Sequence, residues 1–166
     1  HTTTRRQRQM CIRDRSTGAS ATLAGLNGTG NAYTITITDT SATAANLTTI
    51  DAATTVAVQA GNVTSISGTA TEVKAAYTAD ANGTIVLDGD EAVSVSGSVS
   101  VADANIIAGK TSGVVTATIA EGDLTTLAGL NETGHAYTVT VTDTSATAAA
   151  LTTLDGKTTV AVQAGN

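Results

Sequence analysis

Between residues 80 and 91 the chain runs Asp-Ala-Asn-Gly-Thr-Ile-Val-Leu-Asp-Gly-Asp-Glu. Carboxylate and amide oxygens of Asp80, Asn82, Asp88, Asp90 and Glu91 around a tight turn suit Ca²⁺, a hard cation that takes oxygen ligands. Counted from Asp80, Glu91 occupies the twelfth position, where a calcium loop places its closing carboxylate. Thr84 stands where a further acidic ligand belongs, and no glycine-aspartate nonapeptide repeat occurs. A polar turn flanked by solvated acids has the same composition. A calcium-stabilised repeat is therefore an alternative, and no other cofactor is expected.

The other reactive side chains point away from catalysis. His135 follows Gly134, and the equivalent position of an internal repeat holds Asn31, so the expectation is a solvated turn residue rather than a general base. No serine sits in a G-x-S-x-G elbow, and the single Cys11 excludes an internal disulfide. Ala104–Thr111 ends in Gly-Lys-Thr but carries Ala104 where a phosphate loop needs its first glycine. Gly109 and Lys110 there are expected to close a helix. No enzymatic activity is expected.

What remains is a regular display of hydroxyls. Thr34, Thr36 and Thr38 form a T-x-T-x-T row, and Thr138, Thr140 and Thr142 repeat it. Ser94, Ser96, Ser98, Ser100, Thr116 and Thr118 lie between them in sequence. On a strand each row faces one way, and a flat array of hydroxyls and methyls could bind a glycan or ice. Threonine also favours any half-exposed strand. Five N-x-T sequons, at Asn27, Asn46, Asn62, Asn82 and Asn131, are what so threonine-rich a chain contains by chance.

The elements that carry these rows come from a long repeat. Leu23–Asn62 and Leu127–Asn166 are identical at 32 of 40 positions, at an offset of 104. Inside that period runs a rhythm of roughly 25 residues, an alternating segment followed by a helical one, which is the mark of stacked repeats. Tyr33–Thr38, Val56–Ala60, Ala92–Val101, Val114–Ile119 and Tyr137–Thr142 alternate as half-buried strands do. Ser41–Asp51 and Ser145–Asp155 space Ala44, Leu47, Ile50 and Ala148, Leu151, Leu154 as helices do, and Leu124, Leu127 and Leu130 stripe a further one. Asp39-Thr40 and Asp143-Thr144 are expected to cap the helices that follow them. Thr69–Glu72 has the form of a capping box, and Ser100–Asp103 a weaker one.

Composition agrees. Among 166 residues are 35 Thr and 30 Ala, three Tyr, and no Pro, Phe or Trp. A core built from Val, Ile, Leu and Ala suits thin layers that pack mainly on their neighbours. The expected fold is an α/β solenoid, one parallel strand and one short helix per coil, with an all-β parallel β-helix as the alternative. The net charge of −6 divides into +4 over residues 1–18 (five Arg, one Asp) and −10 over the rest (three Lys, 13 acids). An acidic folded part argues against nucleic acid, and no apolar run of about 18 residues argues for membrane insertion. Residues 1–18 differ in kind from the remainder. They are expected to be a disordered or non-native basic segment, since RQRQMCIRDRS looks like translated sequencing-adapter read-through of metagenomic origin. Residues 19–166 are expected to be a solenoid fragment cut from a longer array at both ends.

The segments DTSATAANLTTIDAATTVAVQAGNVTSISGTATEV and GDEAVSVSGSVSVADANIIAGKTSG resemble the tandem repeats of very large secreted or surface proteins of marine bacteria, often labelled hemolysin-type or calcium-binding. The resemblance covers residues 19–166. It implies an extracellular or cell-surface, adhesin-like structural protein whose partners are the neighbouring repeats of its own chain. It transfers no binding residues, because the glycine-aspartate motif of that label is missing.

Overall fold

The alternation of inward Ile or Val with outward Thr sets the strands. In the computed structural model, which describes residues 15–164, Ile35 and Ile37 are fully buried while Thr34 and Thr38 are exposed. Val139 and Val141 are buried in the same way, with Thr140 and Thr142 outside. The elements run β1 (Arg15–Gly18), α1 (Ser20–Leu23), β2 (Thr34–Ile37), β3 (Ser41–Thr43), α2 (Ala44–Ala53), β4 (Val58–Gln59), β5 (Ser65–Thr69), α3 (Ala70–Ala81), β6 (Ile85–Val86), β7 (Ala92–Val99), α4 (Val101–Ala108), β8 (Val115–Ile119), α5 (Leu124–Leu127), β9 (Ala136–Thr138), β10 (Thr140–Val141), α6 (Ala148–Asp155) and β11 (Gln163–Ala164). The protein is mixed α/β with parallel sheets. The six helices among the described residues leave no place for the all-β alternative.

The described residues fall into two units, 15–64 with 75–88, and 65–74 with 89–164. In the first unit four parallel strands pair in the order β1-β2-β4-β6. In the second, β5, β7, β8 and β9 pair successively and β10 pairs with β11, again all parallel. Parallel partners need a crossover between them, and here it is short. Paired residues lie between 19 positions apart (Arg15 and Thr34) and 27 positions apart (Val58 and Ile85).

Three expectations are corrected. One strand per helix is too few: β2 and β3 precede α2, β4 and β5 precede α3, and β6 and β7 precede α4. The second strand of each pair follows a bend, and β3 is only three residues long. Residues 15–18 also do not belong with the basic segment. They form β1, and the Gly18 carbonyl accepts from Thr38 N–H at 3.1 Å. The rest of that segment, residues 1–14 with Cys11, lies outside the described residues. Finally, α2 and α6 are capped by Thr43 and Thr147, whose hydroxyls accept from Asn46 N–H and Ala150 N–H, because β3 and its counterpart stretch delay the helix start.

Asp39 and Asp143 do something else. Asp39 accepts from Ser20 N–H at 2.7 Å and Ser20 Oγ at 2.9 Å, at the start of α1. Asp143 accepts from Leu124 N–H at 2.6 Å, at the start of α5. Glu121 accepts from Val101 N–H at 3.1 Å, at the start of α4. Each carboxylate thus satisfies an orphan amide of a helix 19 or 20 residues earlier. Asp143→Ala should cost about 0.5–2 kcal/mol in urea unfolding, the range for losing a helix cap. Thr144→Ala, at an exposed neighbour, should cost nothing measurable; equal losses at the two positions would refute the cap.

The remaining helix starts follow local rules. Thr69 and Glu72 form the capping box: Glu72 Oε2 accepts from Thr69 N–H at 2.8 Å, and Thr69 Oγ1 accepts from Glu72 N–H at 3.3 Å. The Thr69 N–H, and then the Thr69 hydroxyl donating to the same oxygen at 2.9 Å, hold the Glu72 carboxyl below its ordinary range. Ser100 caps α4 through Asp103 N–H at 3.1 Å. In β7, Gly97 adopts φ +76° where the register against β8 shifts. The shift adds two residues of β7 against β8 and so keeps the alternation in phase, with Val93, Val95 and Val99 all pointing inward past Ser96-Gly97-Ser98.

Candidate functional site

The hydroxyl rows are borne by the strands just described. In the first unit Thr36 sits in register between Thr17 of β1 and Gln59 of β4. In the second unit Ser67, Ser94 and Thr116 align across β5, β7 and β8, and Ser98, Thr118 and Thr138 across β7, β8 and β9. Ser94, Ser98, Thr116 and Thr118 are exposed, while Thr36 and Thr138 are half-buried. Neighbouring strands stand about 4.8 Å apart, so each aligned set presents hydroxyls at that repeat. Thr140 and Thr142 are exposed at β10 and just beyond it.

The acidic residues do not converge. Asp80, Asn82 and Asp88 belong to the first unit, Asp90 and Glu91 to the second. Asp80 Oδ1 accepts from Leu87 N–H at 2.9 Å, closing the turn after α3. Glu91 is fully buried, and its Oε1 accepts from Gly89 N–H at 3.0 Å. Among the described residues no three His, Cys, Asp or Glu side chains are grouped to hold a metal ion.

Ala104–Thr111 is no phosphate cradle. Its first half is the last turn and a half of α4, which Gly109 ends at an ordinary φ of −71° rather than a left-handed one. Thr111 is buried, donating Oγ1–H to the Glu91 carbonyl at 2.7 Å and accepting from Gly113 N–H at 2.9 Å. Thr54 and Thr158 do the same, donating to the Tyr33 and Tyr137 carbonyls at 2.7 Å and accepting from Val56 and Val160 N–H. A threonine after each of three helices thus ties the chain to a strand start 20 or 21 residues earlier.

His135 is not a solvated turn residue. It is 7% exposed, and its Nδ1 accepts from Val115 N–H at 3.1 Å, which fixes a neutral ring with the proton on Nε2. Its ring lies 5.5 Å from that of Tyr137, tilted by 50°. Burial lowers the His135 pKa, opposed by the Glu132 carboxylate, and raises the Tyr137 pKa to about 12. Since the folded value lies below the ordinary His value of about 6.5, stability is whole above that value. It is lost as pH falls, because the unfolded chain binds the proton first. Melting temperatures at pH 7.5 and 5.0 should therefore fall further for the wild type than for His135→Asn; equal falls would contradict the neutral, bonded ring.

Two features escaped the sequence. The inter-element carboxylate caps share one signal, an acid just past a strand and 19 or 20 residues after a helix start. Asn105 is the other: its amide donates to Gly129 O at 2.8 Å and accepts from Asn131 N–H at 2.9 Å. Asn105 lies on a helix with no motif around it. Among the described residues no helix is long and apolar enough to cross a membrane. The geometry on offer is a scaffold with ordered outward hydroxyls. No family model, curated protein or solved structure matches the chain.

Proposed function

We propose that the chain is a structural repeat segment of a large extracellular or cell-surface protein, adhesin-like and without catalytic activity. In this reading each unit is a stack of α/β solenoid coils whose partners are the neighbouring coils. One observation carries it: the strand-end carboxylate and the post-helix threonine recur, each bonding to backbone about 20 residues earlier. A recurring bond at a recurring offset is what a stack of like coils requires, since each coil is completed by the next. The acidic, lysine-poor composition keeps such an array soluble.

The test is deletion by phase. Thr116 pairs with Ala136, so removing the 20 residues 115–134 joins strand to strand in register. That chain should still unfold cooperatively. Removing only 115–124 puts inward residues out of phase and should abolish cooperative unfolding. Equal behaviour of the two deletions would refute the coils.

The aligned, exposed Ser94, Ser98, Thr116 and Thr118 favour a second reading, recognition of a glycan or ice by the hydroxyl face. Thermal hysteresis, or glycan-array binding, that disappears in Thr116→Lys/Thr118→Lys would support it; no signal in either assay would remove it.

A further inference from the structure

The two copies of the 40-residue repeat differ in what covers them. In the first, Leu47 and Ile50 of α2 are fully buried. Strand β4 is paired on both sides, and Val58 and Ala60 donate their N–H groups to Thr84 O at 2.8 Å and Val86 O at 3.0 Å. Asp51, near the end of α2, accepts from Thr84 Oγ1 at 3.0 Å. The partner strand of β4 and the hydroxyl on Asp51 are thus supplied by the chain following Asn62.

In the second copy the same residues recur at an offset of 104: Leu151 for Leu47, Asp155 for Asp51, Val162 and Ala164 for Val58 and Ala60. Here Leu151 is half-exposed. Leu151, Thr152, Asp155, Val162 and Ala164 line an open groove of about 280 Å³. Among the described residues strand β11 pairs only with β10, through Gln163 N–H to Val139 O at 3.0 Å. Backbone groups alternate sides along a strand, so Val162 and Ala164 turn theirs to the open edge. That edge is continuous with the β10–β11 interface and has the register of the β4 edge that β6 occupies in the first copy.

We propose that this groove and edge are the docking surface for one particular occupant, a segment of the sequence of residues 63–88 supplied by an adjoining repeat. Its equivalent of Thr84–Val86 pairs with β11, its carbonyls accepting from Val162 and Ala164 N–H. Its threonine hydroxyl donates to Asp155, and its side chains fill the groove beside Leu151. The proposal rests on the stacked-coil reading above, and narrows it from any neighbouring coil to one of the four in the period. The order of the first copy selects that phase, since there the segment following Asn62 supplies the strand beside β4.

The experiment extends the full chain beyond Asn166 with a copy of residues 63–88, in phase because Asn166 repeats Asn62. Amide hydrogen exchange is followed residue by residue, beside an extension of scrambled sequence. Exchange at Val162 and Ala164 should slow by at least ~10-fold in the native extension alone, as edge amides become paired, and Leu151→Ala should lower melting more in that chain than in the unextended or scrambled one. Unchanged exchange, or equal slowing by the scrambled extension, overturns the proposal. Protection of β8 and β9 separates the two levels: if it persists, the docking inference fails by itself, and if it is missing, the stacked coils fail with it.

Discussion

Leu47→Ala is expected to cost about 2–5 kcal/mol, the range for emptying a fully enclosed leucine site. Its counterpart Leu151→Ala is expected to cost about 1 kcal/mol, since a half-exposed side chain has less transfer energy to lose and opens no closed cavity. The two leucines share helix position and intrinsic propensity, and their helices differ at Asn46 against Ala150 and Ile50 against Leu154. The larger difference is in cover, because Leu47 is fully buried while Leu151 lines an open groove. Urea midpoints of the two variants measure that cover directly. Equal costs would mean that the groove is closed in solution or that Leu47 is not enclosed.

Gly113→Ala should be the other large loss, at about 1–3 kcal/mol in the same assay. A Cβ at residue 113 would stand 2.3 Å from Glu91 O, 2.5 Å from Glu91 C and 2.6 Å from Asp90 O. These are backbone atoms and cannot swing aside. The chain lies so close because Thr111 and Ser112 both bond to the 89–91 stretch: Ser112 N–H donates to Gly89 O at 2.8 Å, and Thr111 to Glu91 O at 2.7 Å. The corresponding position is Val56 or Val160 where Asn31 or His135 takes the place of Gly89 as backbone acceptor. A stability change below about 0.5 kcal/mol would show that the two backbones separate freely.

Strand faces were legible in the sequence wherever alternation lasted. Thr34 to Thr38 and Thr138 to Thr142 declared which side is buried, because one β-branched residue in two must face the core. The helix caps at Thr69 and Ser100 were legible because a capping box is a local pattern. Strands β3, β5 and β6 were not. Three residues of Ser-Ala-Thr, or a pair such as Ile85-Val86, contain too little alternation to be told from a turn. The role of Asp39 was missed for a related reason: its partner, Ser20, is 19 residues away, and the local rule pointed to the nearer helix. His135 misled because a histidine after glycine beside Asn131 and Glu132 has the composition of a wet turn. Its burial comes from Val115 N–H, a contact no local window contains. The hydroxyl rows were legible as rows, but their alignment across β7, β8 and β9 depends on a register that the bulge at Gly97 shifts.

Carboxylates that finish a helix from downstream impose an order of events. On a ribosome, α1 emerges before Asp39, α4 before Glu121 and α5 before Asp143. Each of these helices leaves the exit tunnel with a bare amide and acquires its acceptor only when some twenty further residues have emerged. Three of the helices are therefore completed only after the strand that follows them has formed, while those capped by Thr43, Thr69 and Thr147 need nothing from downstream.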